Sequence, residues 1–318
     1  ATDESVVVFT ETTSNLNHSN FFSNIDKIIA PIEKLEDADS YFKKLQPDVL
    51  LTFGGMVISK KIKAFLRKYQ PKHHWHIDSK KAYDTFYCLN QHFKTTPNKF
   101  LKVFSEGIKI QKSDFQPYWL SVKANRSKLH KEYVVQIPFS DFKAYERILK
   151  TIPENYQLQL SNSSTIRYAQ LFQLNESLKV FCNRGTSGID GSTSTAVGAS
   201  VVSENPVVFI TGDLSFFYDS NALWNNYINS KFRIIVINNG GGGIFRILPG
   251  DKDSKNFDDY FETTHQLNAR GICSTYGINY QSVDSEETLV EALQEFYKSS
   301  ANPSLLEVFT PRKINDEI

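Results

Sequence analysis

The sequence predicts an α/β protein made of two three-layer α/β/α domains with mostly parallel sheets. Three observations carry that expectation. Short apolar runs alternate with stretches whose apolar residues recur at helical spacing. The chain has 318 residues, about two domains' worth at roughly 150 residues each. The stretch Glu132–Pro138 reads as a linker between two such series. The expected domains are residues 1–130 and 131–318.

In the first series, Val6–Phe9, Val49–Phe53, His74–Ile77 and Lys102–Phe104 read as strands. Asp37–Leu45 and Ser59–Tyr69 read as helices, and Phe115–Lys131 as a closing helix. In the second, Ser140-Asp141 has the composition of a helix cap for Phe142–Thr151. Lys179–Asn183, Val207–Thr211, Arg233–Asn238 and Leu305–Phe309 read as strands. Ser192–Ser203 is a helix of small residues that permits close packing. Strand–helix alternation favours parallel sheets covered by helices on both faces.

Composition narrows the function classes. A net charge of +1 gives no electrostatic reason to expect nucleic acid or an anionic membrane as partner. No apolar run approaches the roughly 18 residues that a membrane-spanning helix needs. Cys88, Cys182 and Cys273 are odd in number and widely spaced, which argues against a disulfide framework and fits a reducing cytoplasm. The sequence opens on Ala1 without a signal-peptide pattern, and its one methionine is Met56. Either a trimmed initiator or a start within a longer protein accounts for that.

Two strand ends carry the chemistry. Val207–Thr211 runs into Gly212-Asp213-Leu214-Ser215, with a helix expected from near Asp219. Arg233–Asn238 runs into Asn239 and four glycines, Gly240–Gly243. In a parallel sheet both ends reach the edge where ligands bind. Asp213 and Asn239, 26 positions apart, can then converge on one ion. A carboxylate plus an amide oxygen is hard-oxygen ligation, suited to Mg²⁺ at about 2.0–2.1 Å. The glycines permit a backbone carbonyl to approach as a further ligand. Without such a pair, a Gly-Asp at a strand end is an ordinary turn.

These residues resemble the motif of thiamine-diphosphate enzymes, a Gly-Asp-Gly start and an Asn-Asn finish. Leu214 departs from the third glycine. Gly212-Asp213-Leu214-Ser215 is instead similar to the SEPHCHC synthase (2-succinyl-5-enolpyruvyl-6-hydroxy-3-cyclohexene-1-carboxylate synthase) family within that group. Three further segments resemble the same family: Asn238–Phe245, Asn183–Gly191, and Asn162-Ser163-Ser164-Thr165-Ile166-Arg167. The likeness is dense from Leu160 to Pro249 and thinner over residues 1–130.

The resemblance implies thiamine diphosphate with Mg²⁺, or Mn²⁺ as a substitute. It assigns the metal to Asp213, Asn239 and the Gly241 carbonyl. Ser187, Gly188, Ile189, Gly212, Leu214, Ser215, Asn239 and Gly241 fall to the cofactor, with Ile189 beneath its two rings and Ser215 near the diphosphate. The implied reaction is decarboxylation of 2-oxoglutarate and addition of the succinyl-semialdehyde carbanion to isochorismate. Both substrates are dicarboxylic acids, and arginine suits carboxylate recognition. Arg167, Arg184 and Ser163 match substrate-binding positions, as does Lys60, and Ile244, Phe245 and Leu248 match apolar lining of the pocket.

Other readings stay open at several residues. Arg184 could form a structural ion pair, and Lys60 with Lys61, Lys63, Arg67 and Lys68 could be a solvated basic face. His73, His74 and His76 lack a further ligand at useful spacing. No catalytic residue is assigned in these 318 residues. In the resembled family the cofactor-activating glutamate lies in an N-terminal pyrimidine-binding domain that no segment here resembles. The expectation is therefore an incomplete chain, inactive alone, of an enzyme that is a homodimer or homotetramer when complete. Another thiamine-diphosphate 2-oxo acid decarboxylase or carboligase and a non-catalytic binding module remain alternatives. A nicotinamide-dependent dehydrogenase would need a Gly-x-Gly-x-x-Gly after an early strand, and none is present.

Overall fold

Contacts divide the chain into two units, Ala1–Lys131 and Glu132–Ile318. The structure, a computed structural model, describes residues 2–247, 252–254 and 256–318. In the first unit the elements are β1 (Val8–Phe9), β2 (Phe21–Phe22), α1 (Ile25–Ile32), α2 (Ala38–Leu45), β3 (Val49–Phe53), α3 (Lys60–Lys68), β4 (His73–Ile77), β5 (Leu89–Phe93), α4 (Pro97–Gly107) and the start of α5 (Phe115–Gln136). Strands β3, β4 and β5 form a parallel sheet, and β1 pairs with β2. The core gathers the apolar stripes of α1, α2 and α3 with Phe22, Phe86 and the fully buried Trp119.

The second unit holds α6 (Asp141–Thr151), β6 (Gln157–Leu160), α7 (Ser164–Ala169), β7 (Lys179–Cys182), α8 (Ser192–Val202), β8 (Val207–Gly212), α9 (Asp213–Tyr218), β9 (Arg233–Asn238), α10 (Ile244–Ile247), α11 (Arg270–Tyr276), β10 (Asn279–Val283), α12 (Glu286–Phe296) and β11 (Ser304–Phe309). Its six strands form one parallel sheet in the order β10-β11-β9-β8-β6-β7. Strands β8 and β9 are near-continuous β-branched runs because both their faces are buried. Val207, Phe209, Ile234, Val236 and Leu305 pack with residues of α8, α9 and α11. The alternate residues Val208, Ile210, Ile235 and Ile237 point to the other face. There α7 lies on β8 and α12 on β11, with α6 packed on both helices.

The strand order creates a switch point of the kind where open α/β sheets bind ligands. From β6 the chain passes to the edge strand β7 and then returns to β8 on the opposite side of β6. At such a switch point the loops leaving the two strands diverge and open a cleft at their carboxyl ends. Those ends carry Ser161–Ser163 and Gly212-Asp213.

Several expectations are corrected. Lys102–Phe104 is not a strand but part of α4, which starts at Pro97 with the Thr96 hydroxyl accepting from the Lys99 amide at 3.4 Å. Phe100 and Phe104 stack one turn apart there, with centroids 5.4 Å apart. The strand of that region is β5, whose polar sequence Leu-Asn-Gln-His-Phe hid it. Of Val6–Phe9 only Val8–Phe9 pairs. Glu132–Pro138 is no linker over most of its length, since α5 continues to Gln136. The helix after β8 begins at Asp213 rather than near Asp219, with Gly212 as its N-cap.

Phe209 is fully buried at the middle of β8. Phe209→Ala is expected to destabilise the second unit by about 3–5 kcal/mol, from lost transfer energy plus the cavity left behind. Urea unfolding followed by circular dichroism measures it, and a loss below about 1 kcal/mol would be incompatible with this core.

Candidate cation and cofactor site

The sheet brings the ends of β8 and β9 side by side, with Gly212 opposite Ile237. Asp213, the first residue of α9, is buried. Its Oδ1 accepts from the Leu214 amide at 2.7 Å. Its Oδ2 accepts from the amides of Gly240 at 2.9 Å and Gly241 at 3.0 Å. This turn can be tight because both residues lack a Cβ and have positive φ, +77° at Gly240 and +152° at Gly241. A Cβ at Gly241 would lie 2.8 Å from the Glu262 carbonyl. His265 places Nε2 3.2 Å from Asp213 Oδ2. Its Nδ1 accepts from the Leu267 amide at 3.1 Å, so in the neutral ring the proton sits on Nε2.

Asn239 completes the cluster. Its Nδ2 donates to Asp141 Oδ2 at 2.8 Å. Its Oδ1 is buried and has no hydrogen-bond partner among the described residues. A buried amide oxygen left unpaired costs about 1–3 kcal/mol, so such an orphan needs a reason. A cation is one. The Asp213 carboxylate, the Asn239 oxygen and the Gly241 carbonyl are all hard oxygens, the donor type of Mg²⁺ and Mn²⁺. The Gly241 carbonyl accepts from the Gly243 amide at 3.1 Å and keeps a second lone pair. The residues present therefore fit a small divalent cation. Asp141 is wholly buried, and that burial raises its carboxyl above the usual range.

A second layer holds the loop after β7. Asn162 donates to the Gly188 carbonyl at 3.2 Å and also to that of Ser187. Arg184 Nη1 donates to Asn162 Oδ1 at 2.6 Å. The Ser215 hydroxyl, expected near the diphosphate, donates to the Ile189 carbonyl at 2.6 Å. It thereby fixes Ile189, whose side chain is partly exposed. Ser163 and Ser187 both have positive φ, +69° and +64°, which non-glycine residues adopt at a cost of order 1–3 kcal/mol. Arg167 lies half-buried on α7, four residues after Ser163. Cys182 is not a reactive thiol, because burial pushes it up to about 12.

Beyond the turn, Ile244 and Phe245 stand on α10, and Phe245 meets Phe261 edge to face. Leu248 lies outside the described residues. Arg246 is tied to Glu262, to Asp316 at 2.8 Å and to the Arg312 carbonyl. Lys60 belongs to the first unit, where it is exposed at the start of α3. Nearby, Lys61 pairs with Glu33 and Arg67 lies over the Tyr87 ring. His74 and His76 both bond to the Thr52 hydroxyl at 2.9 Å. Asp141, His265, Glu262 and Glu307 were not singled out from sequence for the site. Asp141 was read only as part of a cap, and the others fall in no motif.

Comparison with known proteins shows the family. The model described as the middle domain of thiamine pyrophosphate enzymes matches residues 21–160. That of the thiamine pyrophosphate enzyme C-terminal TPP binding domain matches residues 162–308. The chain is 61% identical over 318 residues to a 2-succinyl-5-enolpyruvyl-6-hydroxy-3-cyclohexene-1-carboxylate synthase of Christiangramia forsetii. The chain belongs to the SEPHCHC synthase family of thiamine pyrophosphate enzymes. The alignment takes in 100% of this chain and 55% of that relative. Synthases of the same name from Flavobacterium psychrophilum and Porphyromonas gingivalis are 54% and 38% identical, over 99% and 96% of this chain and 56% and 54% of their own lengths. The chain thus spans about half the length of the curated relatives it matches. The cofactor of this family is thiamine diphosphate, held with a divalent cation. Among the described residues no helix is long and apolar enough to cross a membrane.

Glu262 reports on the ion network behind the turn. Hydrogen bonding from Arg312, more than its other neighbours, holds its carboxyl below the ordinary 4.5. A depressed folded value contributes stability that is fully present above the unfolded value and is lost as pH falls through the folded one. Glu262→Gln is expected to lower the urea midpoint at pH 7 and to flatten its decline below about pH 4.5. A decline as steep as that of the unsubstituted protein would place the acid sensitivity elsewhere.

Proposed function

We propose that residues 131–318 form the half-site that holds the diphosphate and divalent cation of thiamine diphosphate, and that residues 1–130 form the middle domain of the same enzyme. The observation that carries this is the buried Asn239 oxygen, unpartnered among the described residues and next in sequence to the glycine turn that Asp213 holds. Asp213, Asn239 and the Gly241 carbonyl would take Mg²⁺, or Mn²⁺ in its place. Gly212, Leu214 and Ser215 at the entry of α9, with Ser187 and Gly188, would meet the cofactor, and Ile189 would support its rings. Thiamine diphosphate, when bound, supplies stabilisation of carbanion character that no side chain offers. The chain's own residues bind, orient and exclude water.

The proposed reaction is decarboxylation of 2-oxoglutarate and joining of its four-carbon remainder to isochorismate, with release of carbon dioxide. Its support is the product named for the relatives, 2-succinyl-5-enolpyruvyl-6-hydroxy-3-cyclohexene-1-carboxylate. Arg184, Arg167 and Ser163 would receive substrate carboxylates, and Lys60 is a further candidate for substrate binding. Ile244, Phe245 and Leu248 would line the apolar part of the pocket. A cytoplasmic homodimer or homotetramer is the assembly in which we place the site.

In the full-length protein, Asp213→Ala is expected to abolish metal-dependent binding of thiamine diphosphate at limiting Mg²⁺, read by isothermal titration. Unchanged affinity would remove Asp213 from the metal site. Arg184→Ala and Arg167→Ala should each lower kcat/KM for one or both substrates. Loss of a charge-assisted contact costs about 1.5–3 kcal/mol, or roughly 10- to 150-fold. Cofactor affinity should hardly change. Unaltered kinetics in both variants would return these arginines to a structural role.

A further inference from the structure

We infer that Asp141 is a positioning residue that decides which end of the Asn239 amide faces the cation. The inference rests on the metal-site reading above. An asparagine amide has two ends of nearly the same size, and only the oxygen can bind a cation. Both Asp141 oxygens accept hydrogen bonds here, Oδ2 from Asn239 and Oδ1 from Thr310, and a carboxylate oxygen used as an acceptor offers no donor to an amide oxygen. Asp141 Oδ2 lies 2.8 Å from Asn239 Nδ2. Turned over, the amide would set its oxygen against the carboxylate and its NH₂ toward the cation. Both contacts would be repulsive. The Asp141 carboxylate therefore commits the Asn239 oxygen to the cation side, where it stands buried and without a partner among the described residues.

Asp141 is itself held in place. Its Oδ1 accepts from the Thr310 hydroxyl at 2.5 Å, and its backbone amide donates to Asn315 Oδ1 at 2.8 Å. An acid in the first turn of a helix is commonly there to meet the helix dipole, and exposure suits that task. Asp141 opens α6 but is buried, and its side-chain donors come from beyond β9 and β11 rather than from its own helix. A carboxylate behind a metal ligand usually serves to orient that ligand.

The test is Mn²⁺ binding by electron paramagnetic resonance at saturating thiamine diphosphate, in the full-length protein. Asp141→Asn is nearly isosteric and can offer either end of its own amide, so Asn239 loses its fixed direction. The Mn²⁺ dissociation constant is expected to rise about 10- to 100-fold. Turnover at saturating Mn²⁺ should largely recover, which a general loss of structure would not allow. Because a buried charge has gone, the melting temperature without cofactor and metal should not fall. Asp141→Glu keeps an acceptor-only group and should recover most of the affinity. In an Asn239→Ala background, Asp141→Asn should cause no further loss. A Mn²⁺ dissociation constant for Asp141→Asn close to that of the unsubstituted protein, or an equal loss in the Asn239→Ala background, overturns the proposal. Should Asp141→Asn fail to fold, Asp141→Ser carries the same comparison. Asp213→Ala separates the two readings. If it binds Mn²⁺ normally, the metal site itself is misplaced; if it does not, only the role of Asp141 is at stake.

Discussion

Asp213 Oδ2 accepts from the amides of Gly240 and Gly241, and the rest of the site follows from that pair of bonds. They join the end of β8 to the turn after β9, two points 28 residues apart at most. The joining fixes the backbone that follows Asn239, as the β9 ladder fixes the backbone before it, and Gly241 takes a φ that side-chain-bearing residues rarely adopt. The same contact explains the glycines. The turn passes so close to Glu262 that a Cβ at Gly241 would collide with a carbonyl oxygen. A polar interaction and a steric constraint thus specify one backbone path, and that path leaves carbonyl and amide oxygens available to a cation.

Four carboxylates surround this turn out of water: Asp141, Asp213, Glu262 and Glu307. Burying charge is costly unless donors replace the water, and each has them. Glu307 accepts from Asn238 Nδ2, the Ala269 amide and the Tyr280 hydroxyl. Glu262 takes Arg246 and Arg312. Asp213 takes three backbone amides, with His265 beside it. Asp141 takes two side-chain donors and no cation, and the charge of Asp213 contributes to raising its carboxyl. Glu262 is neutralised by arginine, whereas Asp141 and Asp213 lie on the side where a divalent cation would supply the missing positive charge.

What could be read from the sequence divides along a physical line. Asp213, Asn239, Ile189 and Arg184 sit in contiguous motifs because each lies at a strand end or in the loop that follows one, where backbone geometry constrains several neighbours at once. β8 and β9 were legible because burial on both faces demands an unbroken apolar run. β5 was not, because its residues are polar, and α4 was misread because Phe100 and Phe104 serve an aromatic stack on a helix that buries no residue fully. Asp141 was invisible for another reason. It acts 98 positions from Asn239 and 169 from Thr310, and nothing local distinguishes it from an ordinary first-turn acid. Ser215 was found in its motif, yet the task of its hydroxyl, holding the Ile189 carbonyl, is visible only in the folded chain.

That last bond shows how the turn at Asp213 and the loop after β7 become one device. Ser215 follows Asp213 by two residues, so the turn that presents the carboxylate also anchors the carbonyl of Ile189. Asn162, at the end of β6, holds the carbonyls of Ser187 and Gly188 and receives Arg184. The loop is therefore pinned from both strands that flank the switch point, β6 through Asn162 and β8 through Ser215. Two anchors permit the positive φ at Ser187, a conformation that persists where surrounding contacts over-determine it. A side chain set on such a loop has little freedom to move independently of Asp213. Ile189, which is partly exposed, accordingly keeps a fixed place relative to Asp213, as a ligand bound at both places would require.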